Sequence, residues 1–371
     1  MGKDVLITGG AGFIGSHLAD ELLAHGHRVR ALDALDPQVH GDGGRPAYLS
    51  AEVELVQGDV RDPRAVSRAL DGVDVVYHFA ARVGVGQSMY EIAEYQSVNA
   101  HGTGVLLEAL LDRPVEKLVV ASSMSVYGEG AYVDTAGRAC EALERSRAQL
   151  ERGEWEPRGA NGEELRPVAT PETKQPALAS IYALGKYDQE RMCLIFGSAY
   201  GVPTVALRFF NVYGTRQALS NPYTGVLAIF ASRLLNGRKP LVFEDGRQRR
   251  DFVSVHDVAS ACRLALERPD ADGRVLNVGS GRSVSVLEIF EELRLALDAD
   301  DAEVEITGKA RAGDIRHCFA DIGLARELLG YRPQVELGDG LRDLAEWLEG
   351  QVAEDRVDSA AQELASRGLT L

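Results

Sequence analysis

Cysteine is scarce in this chain, with four among 371 residues. Cys140, Cys193, Cys262 and Cys318 stand far apart, so no ligand spacing for a metal and no redox pair exists. They read as free thiols of a reducing cytoplasm. Long apolar runs are missing as well. No stretch suffices to span a bilayer, and no apolar leader precedes the first strand. Metal, membrane and export are therefore not expected, and the expected location is cytoplasmic. Positive charge is in deficit: 40 Lys and Arg stand against 56 Asp and Glu, for a formal net charge of −16. That balance excludes nucleic acid and anionic membranes as partners. It leaves room for a small anionic substrate, because a few arginines in a cleft outweigh a diffuse field. Repeats and low-complexity tracts are also absent.

What is present begins at Thr8 with TGGAGFIGSHL, between an apolar run (Val5–Ile7) and an amphipathic segment (Ile14–His25). This reads as strand, glycine turn and helix. Gly9, Gly10, Gly12 and Gly15 give the tight turn, the close approach of a pyrophosphate and the close packing of helix on strand. The pyrophosphate would sit on unpaired N–H groups at the positive end of the helix. The next apolar run ends at Asp33, where a carboxylate accepts hydrogen bonds from an adenosine ribose. It would repel a 2′-phosphate, which favours NAD over NADP. A third run leads into GDVRD, with Asp59 beside the adenine. A fourth ends at Ala80-Ala81, small enough for a cofactor to approach. Strands alternating with helices at this pace predict an α/β fold with a doubly wound parallel Rossmann sheet. The length predicts a second, smaller α/β lobe for substrate. The expected division is a dinucleotide-binding domain over 1–210, a second lobe over 211–350 and a C-terminal tail over 351–371.

Two further segments carry reactive groups. The run from Leu118 ends in Ser122-Ser123-Met124-Ser125-Val126-Tyr127-Gly128, a hydroxyl cluster at the carboxyl edge of the sheet, where open α/β folds hold ligands. Tyr182-Ala-Leu-Gly-Lys186 opens a helical stretch to about Tyr200, and positions i and i+4 face the same way. A free tyrosine is a poor base at neutral pH, but a nearby ammonium favours its phenolate.

The chain resembles the extended short-chain dehydrogenase/reductase family in its nucleotide-sugar epimerase/dehydratase branch, over about residues 4–350. The motifs are TGGAGFIGSHL, GDVRD, HFAA, Asn99, SSMSVYG, YALGK, RFFNVYG and RRDFVSVHDV. The resemblance implies a catalytic triad of Ser123, Tyr182 and Lys186. It implies NAD contacts from Gly9, Gly12, Phe13, Ile14, Gly15, Asp33, Asp59, Val60, Phe79, Ala80, Ala81, Asn99 and Phe209, with Tyr182 and Lys186. It implies that Ser123, Ser125, Asn211, Arg250, Arg311 and Asp314 hold a nucleoside-diphosphate sugar, the arginines forking onto the diphosphate. It further implies a homodimer through helices near Ser97–Leu111 and Tyr182–Tyr200.

Dehydratases of this branch carry Asp-Glu where Met124 and Ser125 stand, and neither of these can shuttle a proton at neutral pH. The resemblance therefore implies a 4-epimerase. UDP-galactose epimerases carry lysine where Val83 stands. GVGQSMYEI, an insertion at about 129–170 and RQALSNPYTGVLAIF resemble the epimerases of dTDP-6-deoxyhexoses such as dTDP-L-rhamnose. A UDP-glucose or UDP-glucuronate 4-epimerase and a 4-ketoreductase are the alternatives. Within the insertion, 139–154 is expected to form a charged helix and 155–164 a polar loop.

Overall fold

The structure is a computed structural model that describes residues 2–41, 44–221, 223, 225–311, 314–351 and 355–370. Its centre is a seven-stranded, wholly parallel sheet. The strands lie in the order Val275–Val278, Thr204–Phe209, Lys117–Ser123, Val75–His78, Asp4–Thr8, Arg28–Asp33 and Glu54–Gln57. The order reverses at Asp4–Thr8, the switch point where doubly wound sheets open a crevice.

Both faces of the sheet are covered, so its central strands run mostly apolar instead of alternating, while Glu54–Gln57 at one edge keeps polar, exposed ends. Val5, Ile7, Tyr77, Val119 and Leu207 point to one face, packed against helices that carry Leu18 and Val258. Leu6, Val76, Val120 and Ala206 point to the other, against Val66, Leu106 and Phe196. Burying each such aliphatic side chain contributes about 1.5–3 kcal/mol. A smaller core around Phe230, Phe290, Leu341 and Leu344 holds the second lobe. The seventh strand, Val275–Val278, leaves that lobe's stretch of sequence part-way and docks against Thr204–Phe209.

The insertion differs from expectation. Helix is confined to Arg147–Glu151. Ala131–Val133 is instead the middle of a three-stranded antiparallel sheet with Ala139–Cys140 and Arg166–Val168. Local chemistry explains the short helix. The Ser146 hydroxyl accepts from the Gln149 N–H at 3.2 Å and starts the helix there, and Gly153 at φ +70° follows its end. Upstream, Arg145 is drawn away to the buried Glu244, 2.7 Å distant.

Past the expected second lobe, residues 357–366 form a helix, Val357–Ser366, where a plain tail was expected. Among the described residues no helix is long and apolar enough to cross a membrane.

Candidate active site

The glycine turn is fixed by its own hydrogen bonds, the Gly9 N–H donating to the Leu32 carbonyl at 2.8 Å and the Gly12 N–H to the Gly9 carbonyl at 3.3 Å. Gly9 sits at φ +71°, which only glycine adopts cheaply. A Cβ on Gly15 would lie 2.3 Å from the Gly9 carbonyl oxygen, so any side chain there would push the helix off the turn. The helix Phe13–Ala24 has Gly12 as its N-cap with no side-chain cap, so its first N–H groups remain available to an anion. Asp33 reaches into the turn from the next strand. Its carboxylate accepts from the Ala11 N–H at 3.0 Å and from the Leu35 N–H at 2.9 Å. This cradle fits a dinucleotide pyrophosphate with an adenosine ribose at Asp33.

The remaining cofactor candidates have differing surroundings. Val60 is buried, and Asp59 is paired with Arg61 at 2.6 Å. Phe79 and Phe209 meet edge to face at 5.8 Å. The Ala80 N–H donates to Thr8 Oγ1 at 3.1 Å, which pins the small residues Ala80 and Ala81 at the strand end. Asn99 is buried and bound to the backbone of Arg82, accepting from its N–H at 2.7 Å and donating to its carbonyl at 3.2 Å. In this structure it holds the loop after the fourth strand.

Ser123 ends a fully buried strand and caps a 3-10 turn, accepting from the Ser125 N–H at 3.2 Å and the Ser125 hydroxyl at 2.9 Å. Tyr182 lies in the first turn of helix Ile181–Tyr200, which is N-capped by Ser180. Its N–H donates to Ser88 Oγ at 3.0 Å. Burial pushes the Tyr182 phenol above its ordinary pKa, and a hydrogen bond with Ser123 acts in the opposite sense. The positive helix end also favours a phenolate. Lys186 is buried and drawn down to about 8 by desolvation. Its Nζ donates to Gln189 Oε1 at 2.7 Å.

Gln189 was not read from the sequence, where it looks like any polar residue of a helix. Its amide nitrogen reaches the Ala80 carbonyl, Thr103 and His78, each at 3.1 Å. Burial pushes the His78 imidazole down to about 3, so it is neutral and acts only as a hydrogen-bonding post. Behind these, Glu190 pairs with Arg208 at 2.7 Å and accepts from Ser122 at 2.6 Å, bracing the serine strand.

Ser123, Ser125 and Tyr182 open onto a cleft of about 370 Å³. Asn211, Arg250, Arg311 and Asp314 lie on its wall, so it brings together all six substrate candidates. The Asn211 amide oxygen is buried without a hydrogen-bond partner. Turned over, the same amide would present N–H groups to an anion. Arg250 is anchored on the carbonyls of Arg249 and Arg316, both at 3.0 Å, and on that of Ile315. Arg311 lies 4.3 Å over the Phe243 ring and 3.0 Å from Asp314. Burial works to raise the Asp314 carboxyl, but the charges of Arg311 and Arg250 outweigh it and hold it below the ordinary value. Here Asp314 orients Arg311; its backbone carbonyl accepts from Arg145 of the insertion at 3.1 Å. Among the described residues, the insertion contributes no side chain to the cleft wall. It braces the outside of the arginine end, with Glu156 joining Arg316 at 2.6 Å and His317 at 2.9 Å.

The family model described as "NAD dependent epimerase/dehydratase family" matches residues 5–146 and 159–279. This chain belongs to that family. It is an NAD-dependent enzyme. A dTDP-L-rhamnose 4-epimerase of Burkholderia thailandensis is 36% identical over 94% of this chain and 95% of its own length. A protein described as a putative UDP-glucose 4-epimerase of Methanocaldococcus jannaschii is 30% identical over 93% of this chain and 98% of its own. Among solved structures, a Thermus thermophilus UDP-glucose 4-epimerase in complex with NAD is 32% identical, with a TM-score of 0.74 over 94% of this chain and 100% of that one. A Bacillus cereus UDP-glucuronic acid 4-epimerase with UDP-glucuronic acid and NAD is 28% identical, with a TM-score of 0.77 over 93% and 99%.

Proposed function

We propose that this enzyme is a nucleoside-diphosphate-sugar 4-epimerase whose substrate is a dTDP-6-deoxyhexose such as dTDP-L-rhamnose. One observation carries the reading: the hydroxyls of Ser123 and Tyr182 open onto a cleft where Met124 and Ser125 offer no acid–base pair. Such a site can oxidise and reduce one carbon but has no group to eliminate water. The arginines stand apart from the serine strand, Arg250 in the short strand Arg249–Arg250 and Arg311 in the segment that pairs with Asp314.

Tyr182 as phenolate takes the proton of the C4 hydroxyl, and Ser123 holds the same oxygen by a hydrogen bond. Lys186, charged below about pH 8, compensates the phenolate. Bound NAD supplies a reversible acceptor for the C4 hydride, returned to the other face of the sugar. The freed ketone turns over in the cleft while Asn211, Arg250 and Arg311 keep the diphosphate in place. Tyr182 then gives its proton back to the C4 oxygen. The 36% identity to a dTDP-L-rhamnose 4-epimerase supports the 6-deoxy substrate, and Val83, where UDP-galactose epimerases carry lysine, weakens a galactose assignment.

The test is incubation of purified enzyme with dTDP-L-rhamnose, UDP-glucose and UDP-glucuronate, with products identified by NMR. The C4 epimer of dTDP-L-rhamnose is expected, without added reductant. Deuterium placed at C4 should stay at C4. Washout of that label, or a stoichiometric need for NADH or NADPH, makes the protein a 4-ketoreductase instead.

We also infer a twofold dimer through the helices near Ser97–Leu111 and Tyr182–Tyr200. Leu111, Leu184, Ile195 and Tyr200 are exposed on them, an apolar surface suited to a partner. Light scattering at micromolar concentration that shows a monomer would remove this inference. Four free cysteines, three of them buried, suit a reducing cytoplasm.

A further inference from the structure

The C-terminal residues 355–370 run along the cleft as a strap. In helix Val357–Ser366, Val357, Ala360, Ala361 and Leu364 recur at helical spacing and line the cleft, as does Leu369 beyond the helix. The outer face carries Asp358, Gln362 and Glu363. The strap is fastened by ion pairs and one ring contact. Arg233, itself buried, donates to Asp358 at 2.6 Å, and Arg238 reaches Asp358 at 2.8 Å and Asp355 at 3.2 Å. The Arg367 guanidinium lies 4.3 Å over the ring of Tyr90, whose hydroxyl meets that of Tyr223 at 2.6 Å.

The strap touches both the segment that bears on Tyr182 and the wall that carries Arg311. Leu364 packs on Gly86, where an added Cβ would lie 3.4 Å from the leucine methyls. Gly86 is two residues before Ser88, which accepts the backbone N–H of Tyr182. Leu364 thus covers the catalytic end. Thr370 forms an isolated antiparallel bridge with Arg311 at the arginine end. The Leu369 N–H donates to the Leu364 carbonyl at 2.9 Å and closes the turn between them.

We infer that Leu364 is a specificity-determining residue, forming with Val85, Gly86 and Met89 an apolar wall that receives the C6 methyl of a 6-deoxyhexose. This rests on the proposed reaction. C6 is attached to C5, next to the carbon that Tyr182 oxidises, so this substituent lies within one ring width of the phenol. Among the described lining residues the charged ones are Arg250, Arg311 and Asp314, and the side chains of Arg311 and Asp314 are turned to each other, 3.0 Å apart. A C6 hydroxyl against this wall would lose its water without gaining a partner, whereas a methyl gains contact.

The test measures kcat/KM of the NAD-loaded full chain on dTDP-L-rhamnose and on UDP-glucose. Wild type should favour the 6-deoxy sugar. Leu364→Ala should lower that preference by about tenfold, through the 6-deoxy substrate. Leu364→Met, which keeps the volume, should hold the preference near wild type. Leu369→Ala, at the arginine end, should raise KM for both sugars and leave their ratio unchanged. Thermal melting establishes that each variant is folded, and Leu364→Val serves if the alanine variant is not. A wild-type preference for dTDP-L-rhamnose that Leu364→Ala and Leu364→Val leave intact overturns this inference and spares the proposed function. A wild-type preference for UDP-glucose overturns both.

Discussion

Lys186 Nζ donates to Gln189 Oε1 at 2.7 Å, one turn further along the helix that carries Tyr182. The ammonium is thereby held by a side chain tied to His78, Thr103 and the Ala80 carbonyl, instead of resting on the phenol. Burial has drawn its pKa to about 8, so the charge that phenolate formation needs is present at neutral pH and lost as pH rises through about 8. Activity should fall along an alkaline limb there. Gln189→Leu removes an acceptor for the charged form, so the limb should move to lower pH, with kcat at neutral pH down about tenfold. A pH–rate profile unchanged in shape would show that Gln189 merely fills space.

Tyr182→Phe should lower turnover by about 10²–10⁴-fold, the usual worth of a positioned base, with NAD affinity little changed. The phenol oxygen is engaged with Ser123 and contributes little to the glycine cradle. Calorimetric NAD binding and an NMR assay of turnover separate the two effects. Near-normal turnover would remove Tyr182 from the reaction.

Asp33→Asn should narrow the preference for NAD over NADP. It should also weaken NAD itself, because Asp33 accepts from Ala11 and Leu35 and so shapes the turn as well as facing the ribose. Dissociation constants for both cofactors test this. A wild-type preference for NADP would contradict the role assigned to this carboxylate.

The insertion should report its docking through pH. Burial tends to raise the Glu156 carboxyl, but its hydrogen bonds to His317 and Arg316 prevail and hold it at about 2. A carboxylate with a depressed folded pKa stabilises fully above its unfolded value near 4.5, and that stability is lost as pH falls toward about 2. The melting temperature of wild type should exceed that of Glu156→Gln above pH 5, and the gap should narrow progressively as pH falls from about 4.5 toward about 2. A gap constant across that range would show that the pair contributes nothing through charge.

Local periodicity made much of this legible in advance. The glycine turn, Asp33, Ser123 and the Tyr182/Lys186 pair are each encoded within a few residues of an apolar strand or on one helix face. Elements set by distant partners were not legible. Arg145 and Glu156 look like charges of an exposed helix and loop, yet Arg145 reaches Glu244 and Glu156 reaches Arg316. Leu364 sits in a charged C-terminal stretch, and only its contact with Gly86 reveals what it covers. Gln189 is invisible for the same reason: a helical glutamine gains meaning from His78, Thr103 and the Ala80 carbonyl, which other elements bring to it.

The seventh strand gives the chain an obligatory order of completion. Val275–Val278 closes the edge of the central sheet beside Thr204–Phe209, but only after more than sixty intervening residues of the second lobe. As the chain leaves a ribosome, the edge at Thr204–Phe209 stays unpaired until residue 278 has emerged. During that interval it is an open template for another strand. A fragment ending near residue 210 would carry this open edge permanently, and its fate should be association with itself and not a soluble cofactor-binding half.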